Sequence, residues 1–202
     1  MKIATTTLTR RTATALLAGL SLCASITLAA ETIAPKVKFA TSQGDFVVEV
    51  YPDKAPKTVE NFLHYVRDKH YDGTIFHRVI NNFMVQGGGY DAAYAEKKTR
   101  APVVHEGREA LARGGPKNLV GTLAMARTNE PNSATSQFFI NVKDNDFLNP
   151  STLAPGYTVF GKVVSGLDVL NKIKSMPTGS GGPFPSDAPR TPVVIKSATL
   201  LN

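Results

Sequence analysis

Residues 76–89 read Phe76-His77-Arg78-Val79-Ile80-Asn81-Asn82-Phe83-Met84-Val85-Gln86-Gly87-Gly88-Gly89, and the rest of the chain is organised around how they pair. Phe76, Arg78 and Ile80 alternate with His77 and Val79, the period-two pattern of a strand. Asn81-Asn82 is turn chemistry, because asparagine tolerates a positive φ and hydrogen-bonds its own backbone. Phe83 to Gln86 then returns as a second strand, which the glycines end. A tight turn brings Arg78 opposite or diagonal to Gln86 across the ladder. The guanidinium then lies among apolar side chains such as Phe83 and Met84, a costly position unless its five donors are used. Two readings fit these residues taken alone: a surface hairpin whose arginine pairs with a carboxylate, or a built site in which the guanidinium serves a ligand.

Upstream, residues 36–42 and 46–51 alternate apolar and polar about Gln43-Gly44-Asp45, a β-hairpin pattern. Pro52 and Pro56 break the strand, and Val59, Phe62, Leu63 and Val66 fall at helical spacing on one apolar stripe. Tyr71-Asp72-Gly73 turns the chain into the central hairpin. Downstream, residues 87–118 are rich in glycine, then in charge, and read as a long loop over a scaffold. Strands are expected over 121–126, 138–142 and 158–164, and a short helix over 166–174 with Leu167, Leu170 and Ile173 on one face. Gly179 to Pro189 reads as a loop, and Pro192 to Leu200 as the last strand. About seven or eight short strands with two amphipathic helices favour a sheet closed on itself, because closure removes exposed edges.

The N-terminus has a different composition. Lys2, Arg10 and Arg11 precede a charge-free run from Ala13 to Ala30, which ends in Leu28-Ala29-Ala30 before Glu31. That is the three-part pattern of a secretory signal, with cleavage near Ala29 or Ala30. A retained transmembrane anchor fits less well, since the run is short and rich in alanine, serine and threonine. Arg10-Arg11 suggests the twin-arginine route, but Ala13 and Thr14 stand where bulky apolar residues are usual. Leu22 before Cys23 argues against a lipidation site. The chain therefore divides into a signal peptide, 1–30, and one domain, 31–202. Cys23 is the only cysteine, so the domain has no disulfide and no thiolate chemistry.

With 42% hydrophobic residues overall, a domain of about 172 residues can build a substantial core. The whole chain carries +7, and losing Lys2, Arg10 and Arg11 takes its 23 basic residues to 20 against 16 acidic ones. No basic stripe with interleaved aromatics occurs, so nucleic acid is not an expected partner. His64, His70, His77 and His105 are scattered and form no metal-ligand pair. Asp144-Asn145-Asp146 lacks the glycine and closing glutamate of a calcium loop and reads as a turn. Gly87 to Gly89 is not followed by the Gly-Lys-Ser/Thr of a phosphate loop, and no Gly-x-Ser-x-Gly elbow is present. Hydrolase and metal-enzyme readings lack a complete residue set, and no metal or cofactor is expected.

Two further stretches, Gly121-Thr122-Leu123-Ala124-Met125-Ala126 and Ser136-Gln137-Phe138-Phe139-Ile140-Asn141-Val142, join Phe76-His77-Arg78 and Phe83-Met84-Val85-Gln86-Gly87-Gly88. Together they resemble the signature blocks of the cyclophilins, the peptidyl-prolyl cis-trans isomerases. The blocks come in the family's order at matching separations, and the resemblance covers about residues 36–200. Met125-Ala126-Arg127-Thr128 and Phe147-Leu148 are most similar to bacterial periplasmic members. The resemblance implies a mainly β fold, a closed eight-stranded antiparallel barrel capped by two α-helices. It implies an isomerase acting on X-Pro bonds of unfolded or extended polypeptides without cofactor or metal. A periplasmic location, a chaperone-like part in folding exported proteins, no stable membrane anchor and a monomeric state complete the expectation.

Matched position by position, the resemblance implies that Arg78 is the catalytic donor and that Gln86 orients it. Phe83, Met84, Phe139 and Leu148 would form the proline pocket. Ala126-Arg127 would bind the extended substrate backbone with Gln137 nearby, and His77 would play a supporting part. The chain departs from the eukaryotic pattern at three positions: Phe147 replaces a tryptophan, Tyr157 a pocket histidine, and Arg127 an asparagine. None removes Arg78, but without the indole N–H of a tryptophan at 147, cyclosporin binding is put in doubt. A module that only binds proline segments would keep the pocket but would not need Arg78 and Gln86, and both are present.

Overall fold

The computed structural model describes residues 34–201; the signal peptide assigned to 1–30 lies outside them. Strand β1 (Lys36–Thr41) buries Val37 and Phe39 and turns Lys36 and Lys38 outward, while β2 (Gly44–Val50) sends Phe46, Val48 and Val50 inward. On the outer face Lys38 pairs with Asp45 at 2.8 Å and Lys36 with Glu49 at 3.8 Å. Such exposed cross-strand pairs contribute about 0.2–1 kcal/mol each.

Helix α1 (Pro56–Arg67) starts on a proline, whose missing N–H and preset φ suit the first turn. Its apolar stripe, Val59, Phe62, Leu63 and Val66, is buried as the spacing predicts. Ala55 at the cap position makes no side-chain cap. The capping comes instead from Glu106, far along the chain and only 6% exposed. Its Oε2 accepts from the Thr58 N–H and from Thr58 Oγ1, both at 2.8 Å, and its Oε1 accepts from the Lys57 N–H at 3.2 Å. A carboxylate there serves orphan donors and meets the positive end of the helix dipole.

The remaining elements are β3 (Arg78–Ile80), β4 (Met84–Gly87), α2 (Gly107–Ala112), β5 (Thr122–Met125), β6 (Phe138–Asn141), β7 (Val159–Ser165), α3 (Leu167–Lys174), β8 (Thr178–Gly181), β9 (Phe184–Pro189) and β10 (Ile195–Leu201). Eight strands form one antiparallel sheet in the order β10-β1-β2-β7-β5-β6-β4-β3. It is a half-barrel, and the closed barrel expected from the sequence is corrected. Strand β3 is three residues long, and it and β10 are the two outermost strands, with no ladder between them. The seam holds no ladder among the described residues: an isolated bridge joins Ile75 and Val194, with backbone bonds from Gly73 N–H to Ile195 O (2.8 Å), Ile195 N–H to Thr74 O (2.7 Å) and Phe76 N–H to Val193 O (3.0 Å). The free edge of β10 is blunted by Asp72, whose Oδ1 accepts from the Ala198 N–H at 3.1 Å.

Three α-helices occur among the described residues where two were expected. The third, α2, spans six residues within the stretch read as loop, too few to show a 3.6-residue period. Gly179 to Pro189, also read as loop, belongs to the β8–β9 hairpin, whose glycine, proline and serine content masks its pairing. In α3 the buried face is Val169, Leu170 and Ile173, and Leu167 is exposed.

The half-barrel wraps an aromatic core. Phe39 stacks on Phe46 with ring centres 5.0 Å apart and lies 5.6–6.3 Å from Phe62, Tyr71 and Phe138. A second, smaller apolar cluster of Met84, Ala124, Phe139, Leu148 and Val159 is separate from this core. Replacing Glu106 with glutamine should lower stability by about 1.5–3 kcal/mol, because charge-assisted bonds to α1 are lost. Urea unfolding with an unchanged slope would measure it, and a loss below about 0.5 kcal/mol would mean that the N-terminus of α1 is served without the carboxylate.

Candidate functional site

Successive residues of a strand face opposite sides of the sheet, and four adjacent strands bring one row of side chains together. Arg78 on β3 stands opposite Gln86 on β4, Gln86 opposite Phe139 on β6, and Phe139 opposite Ala124 on β5. The intervening row, Val79, Val85, Ile140 and Leu123, faces the aromatic core. Arg78, Gln86 and Phe139 therefore share the outer face, beside Met84 and the second apolar cluster.

A cavity of about 100 Å³ opens there, lined by Arg78, Phe83, Met84, Gln86, Ala126, Arg127, Phe139, Leu148 and Tyr157. Met84, Phe139 and Leu148 are buried, and Tyr157 sets its edge against Phe139 with ring centres 5.3 Å apart. Arg78 makes no ion pair among the described residues. The surface-hairpin reading, in which it pairs with a carboxylate, is thereby set aside. The Gln86 amide is directed elsewhere than expected: its Nε2 donates to Gln137 Oε1 at 3.0 Å, and no hydrogen bond joins it to Arg78.

Three of the residues singled out in the sequence stand outside the cavity wall. Gln137 lies behind Gln86 and lines an adjoining groove together with Glu96, Thr99 and Thr135. It packs so closely on Gly89 that a Cβ there would lie 2.6 Å from its side chain, a closer approach than any side-chain-bearing residue allows. Phe147 is 73% exposed and stacks on Phe83 with centres 5.7 Å apart, so it forms the rim. His77 faces the other way, stacked on Phe184 (5.0 Å) and edge-on to Tyr90 (4.8 Å).

Sequence reasoning missed the support beneath the cavity. Asn141 Nδ2 donates to Asn118 Oδ1 (3.2 Å) and Thr122 Oγ1 (3.0 Å). Asn145 Nδ2 donates to Asn141 Oδ1 (2.7 Å) and to the Phe83 carbonyl (2.9 Å). This buried amide chain ties β5 and β6 to Phe83 and to the turn that carries Leu148. The signal that could have found it is Asn141, a polar residue inside the apolar strand Phe138–Asn141. Among the described residues no group of histidine, cysteine, aspartate and glutamate is placed to hold a metal, and no helix is long and apolar enough to cross a membrane.

The family described as cyclophilin type peptidyl-prolyl cis-trans isomerase/CLD matches residues 36–200. The chain belongs to the cyclophilins. Peptidyl-prolyl cis-trans isomerase B of Escherichia coli is 52% identical to it over 167 residues, which cover 81% of this chain and 98% of that one. Peptidyl-prolyl cis-trans isomerase A of Dickeya dadantii is 45% identical over 194 residues, covering 96% and 99%. Among solved structures, a Cryptosporidium parvum cyclophilin type isomerase in the presence of the dipeptide Ala-Pro is similar. It shows 27% identity and a TM-score of 0.66, covering 83% of this chain and 99% of that one. This cyclophilin is accordingly an enzyme, a peptidyl-prolyl cis-trans isomerase.

One buried group gives the cyclophilin a pH dependence. His77 is 1% exposed and its Nδ1 has no hydrogen-bond partner. Burial first and the Arg78 charge second lower its pKa to about 4, against a contact with the Ile75 backbone that raises it. Above pH 6.5 His77 is neutral whether the chain is folded or not. Between 6.5 and 4 the unfolded chain takes up a proton that the folded one refuses, so stability falls as pH falls, by up to about 3 kcal/mol. His70 and His105 are shifted the same way by burial and add to the slope. Phenylalanine at 77 suits the slot between Phe184 and Tyr90, so His77→Phe should flatten the decline between pH 6.5 and 4. Thermal midpoints across that interval test this; parallel curves would assign the acid sensitivity to the other two histidines.

Proposed function

We propose that Arg78 is the donor that accelerates prolyl isomerisation and that the adjoining cavity seats the proline ring against Phe83, Met84, Phe139 and Leu148. The observation that carries this reading is a guanidinium, free of ion pairs among the described residues, in the wall of a small cavity that Phe83, Met84, Phe139 and Leu148 also line. Resonance gives the prolyl amide a barrier of about 18–20 kcal/mol, and uncatalysed exchange takes about 10–100 s. No bond need break. At the twisted geometry the prolyl nitrogen regains a lone pair, and a charged donor beside it favours that geometry over either planar form. Bringing tens of seconds down to milliseconds is about a 10⁴-fold change, or roughly 5–6 kcal/mol.

Arginine suits the task because it stays charged and carries a fork of donors. Gln86 stands opposite Arg78 in the ladder, and its side-chain amide is held by Gln137. Phe147 on Phe83 forms the rim over which an extended polypeptide leaves the pocket, and Ala126 with the backbone at Arg127 flanks the same strand of substrate. His77, neutral and packed on Phe184, supports Arg78 from behind. The Cryptosporidium parvum relative's Ala-Pro dipeptide is consistent with a proline-containing substrate here. Residues 1–30 act as a signal peptide, and the enzyme works as a monomer in the periplasm, where it assists the folding of exported proteins. The charge pattern around Lys2, Arg10 and Arg11 and the small residues before Glu31 support this part.

Magnetisation-exchange NMR on a short Ala-Pro peptide should show fast exchange with the wild type and a hundredfold or greater loss with Arg78→Ala. Equal exchange with both proteins would remove Arg78 from the mechanism while keeping the enzyme. After expression of the full chain in a Gram-negative host, mass spectrometry of the periplasmic fraction should find a chain that begins near Ala30 or Glu31. Recovery of the uncut chain from the cytoplasm alone would refute the signal peptide.

A further inference from the structure

We infer that Arg127 is a positioning residue: its side chain braces the far wall of the cavity through Gly156 and Tyr157 and is not spent on the substrate. The inference rests on reading that cavity as the proline pocket. Every donor atom of the Arg127 guanidinium is directed at the chain itself. Nε and Nη2 donate to the Gly156 carbonyl at 3.1 and 2.7 Å, and Nη1 donates to the Thr128 carbonyl at 2.8 Å and the Asn129 carbonyl at 3.4 Å. The guanidinium carbon lies 4.6 Å from the centre of the Tyr157 ring, a cation–π distance. Tyr157 is thus held between Arg127 on one side and the edge contact with Phe139 on the other.

Gly156 is the point at which the strap 149–157 is tied down. Its φ is +65°, and a Cβ there would lie 2.3 Å from the Pro150 nitrogen and 2.7 Å from the Leu148 carbonyl oxygen. Only glycine fits that turn. The next residue closes it, because the Tyr157 N–H donates to the Leu148 carbonyl at 3.0 Å. A second donor comes from His105. The Gly107 N–H donates to His105 Nδ1 at 3.3 Å, so the ring proton sits on Nε2, which donates to the Gly156 carbonyl at 3.2 Å. One carbonyl oxygen therefore collects Arg127 and His105, and the two residues it fixes, Leu148 and Tyr157, both line the cavity.

The catalytic row, Arg78-Gln86-Phe139, is set by strand register and does not depend on this strap. Loosening the strap should weaken the seat of the ring in the planar and twisted states alike, which raises KM and leaves kcat in place. A side chain that bound the twisted amide would show the opposite pattern.

Exchange rates measured over a range of Ala-Pro peptide concentrations separate the two parameters. Arg127→Ala should raise KM about tenfold with kcat within about twofold of the wild type. Arg127→Lys, a point donor without the fork, should recover only part of that rise. Tyr157→Ala should raise KM similarly, and adding Arg127→Ala to it should change little more, since coupled residues are not additive. The Gly156 and Tyr157 amide resonances should shift in Arg127→Lys, which keeps the charge and is read even if Arg127→Ala does not fold. A fall in kcat at constant KM, unchanged values of both, or additive effects with Tyr157→Ala would each overturn the proposal. Failure of the underlying pocket reading has a separate signature: Arg78→Ala would then leave exchange as fast as the wild type.

Discussion

Strand register is the constraint on which the site depends. Because alternate residues face opposite sides, a slip of one residue between β3, β4, β6 and β5 would exchange the row Arg78-Gln86-Phe139-Ala124 with the row Val79-Val85-Ile140-Leu123. The slip would push a guanidinium and an amide into the aromatic core and lift four apolar side chains into water. Each inner residue is buried against Phe39, Phe76 or their neighbours, so the hydrophobic effect that stabilises the core also fixes the register. The precision of the reacting side of the sheet is inherited from the packing of its other side.

Polar groups then do what apolar packing cannot. The cavity wall includes elements outside the sheet, Phe83 in the turn and Leu148 and Tyr157 in the strap, and these are held by directed bonds. Asn118, Asn141 and Asn145 pass hydrogen bonds from β5 through β6 to the Phe83 carbonyl. In a buried setting each such bond is costly to leave unmade, so the network tolerates few alternative geometries. Glu106 plays the same part at α1, where no local residue caps the helix.

The legible parts of this structure were those written in local pattern. The alternation over 36–50, the stripe from Val59 to Val66 and the Asn81-Asn82 turn each fix an element within a few residues of its sequence signal. The turn left Arg78 opposite or diagonal to Gln86, and only the three-residue connection 81–83 makes them directly opposite. Nine of the twelve residues singled out come together around one cavity. What escaped was non-local or masked. Glu106 caps a helix 48 residues away, which no window of sequence shows. The β8–β9 hairpin is built from residues that usually interrupt strands, and α2 is too short for a period. Barrel closure was over-read because strand count does not show whether the two outermost strands are long enough to pair. The orientation of His77 into a pocket of aromatics from a distant hairpin depends on Phe184, which the local pattern does not mention.

The partnership of β1 with β10 has a kinetic consequence. Val37 stands opposite Leu200 and Phe39 opposite Ala198, so the strand at the start of the domain finds one of its two neighbours only at the other end. Bringing such distant segments together costs chain entropy before any contact rewards it, and folds built this way form slowly for their stability. While the chain is being made, β1 can pair with β2 within moments, yet its second flank stays bare until Ile195–Leu201 has emerged. The eight-stranded sheet therefore cannot be completed until both ends of the domain are available.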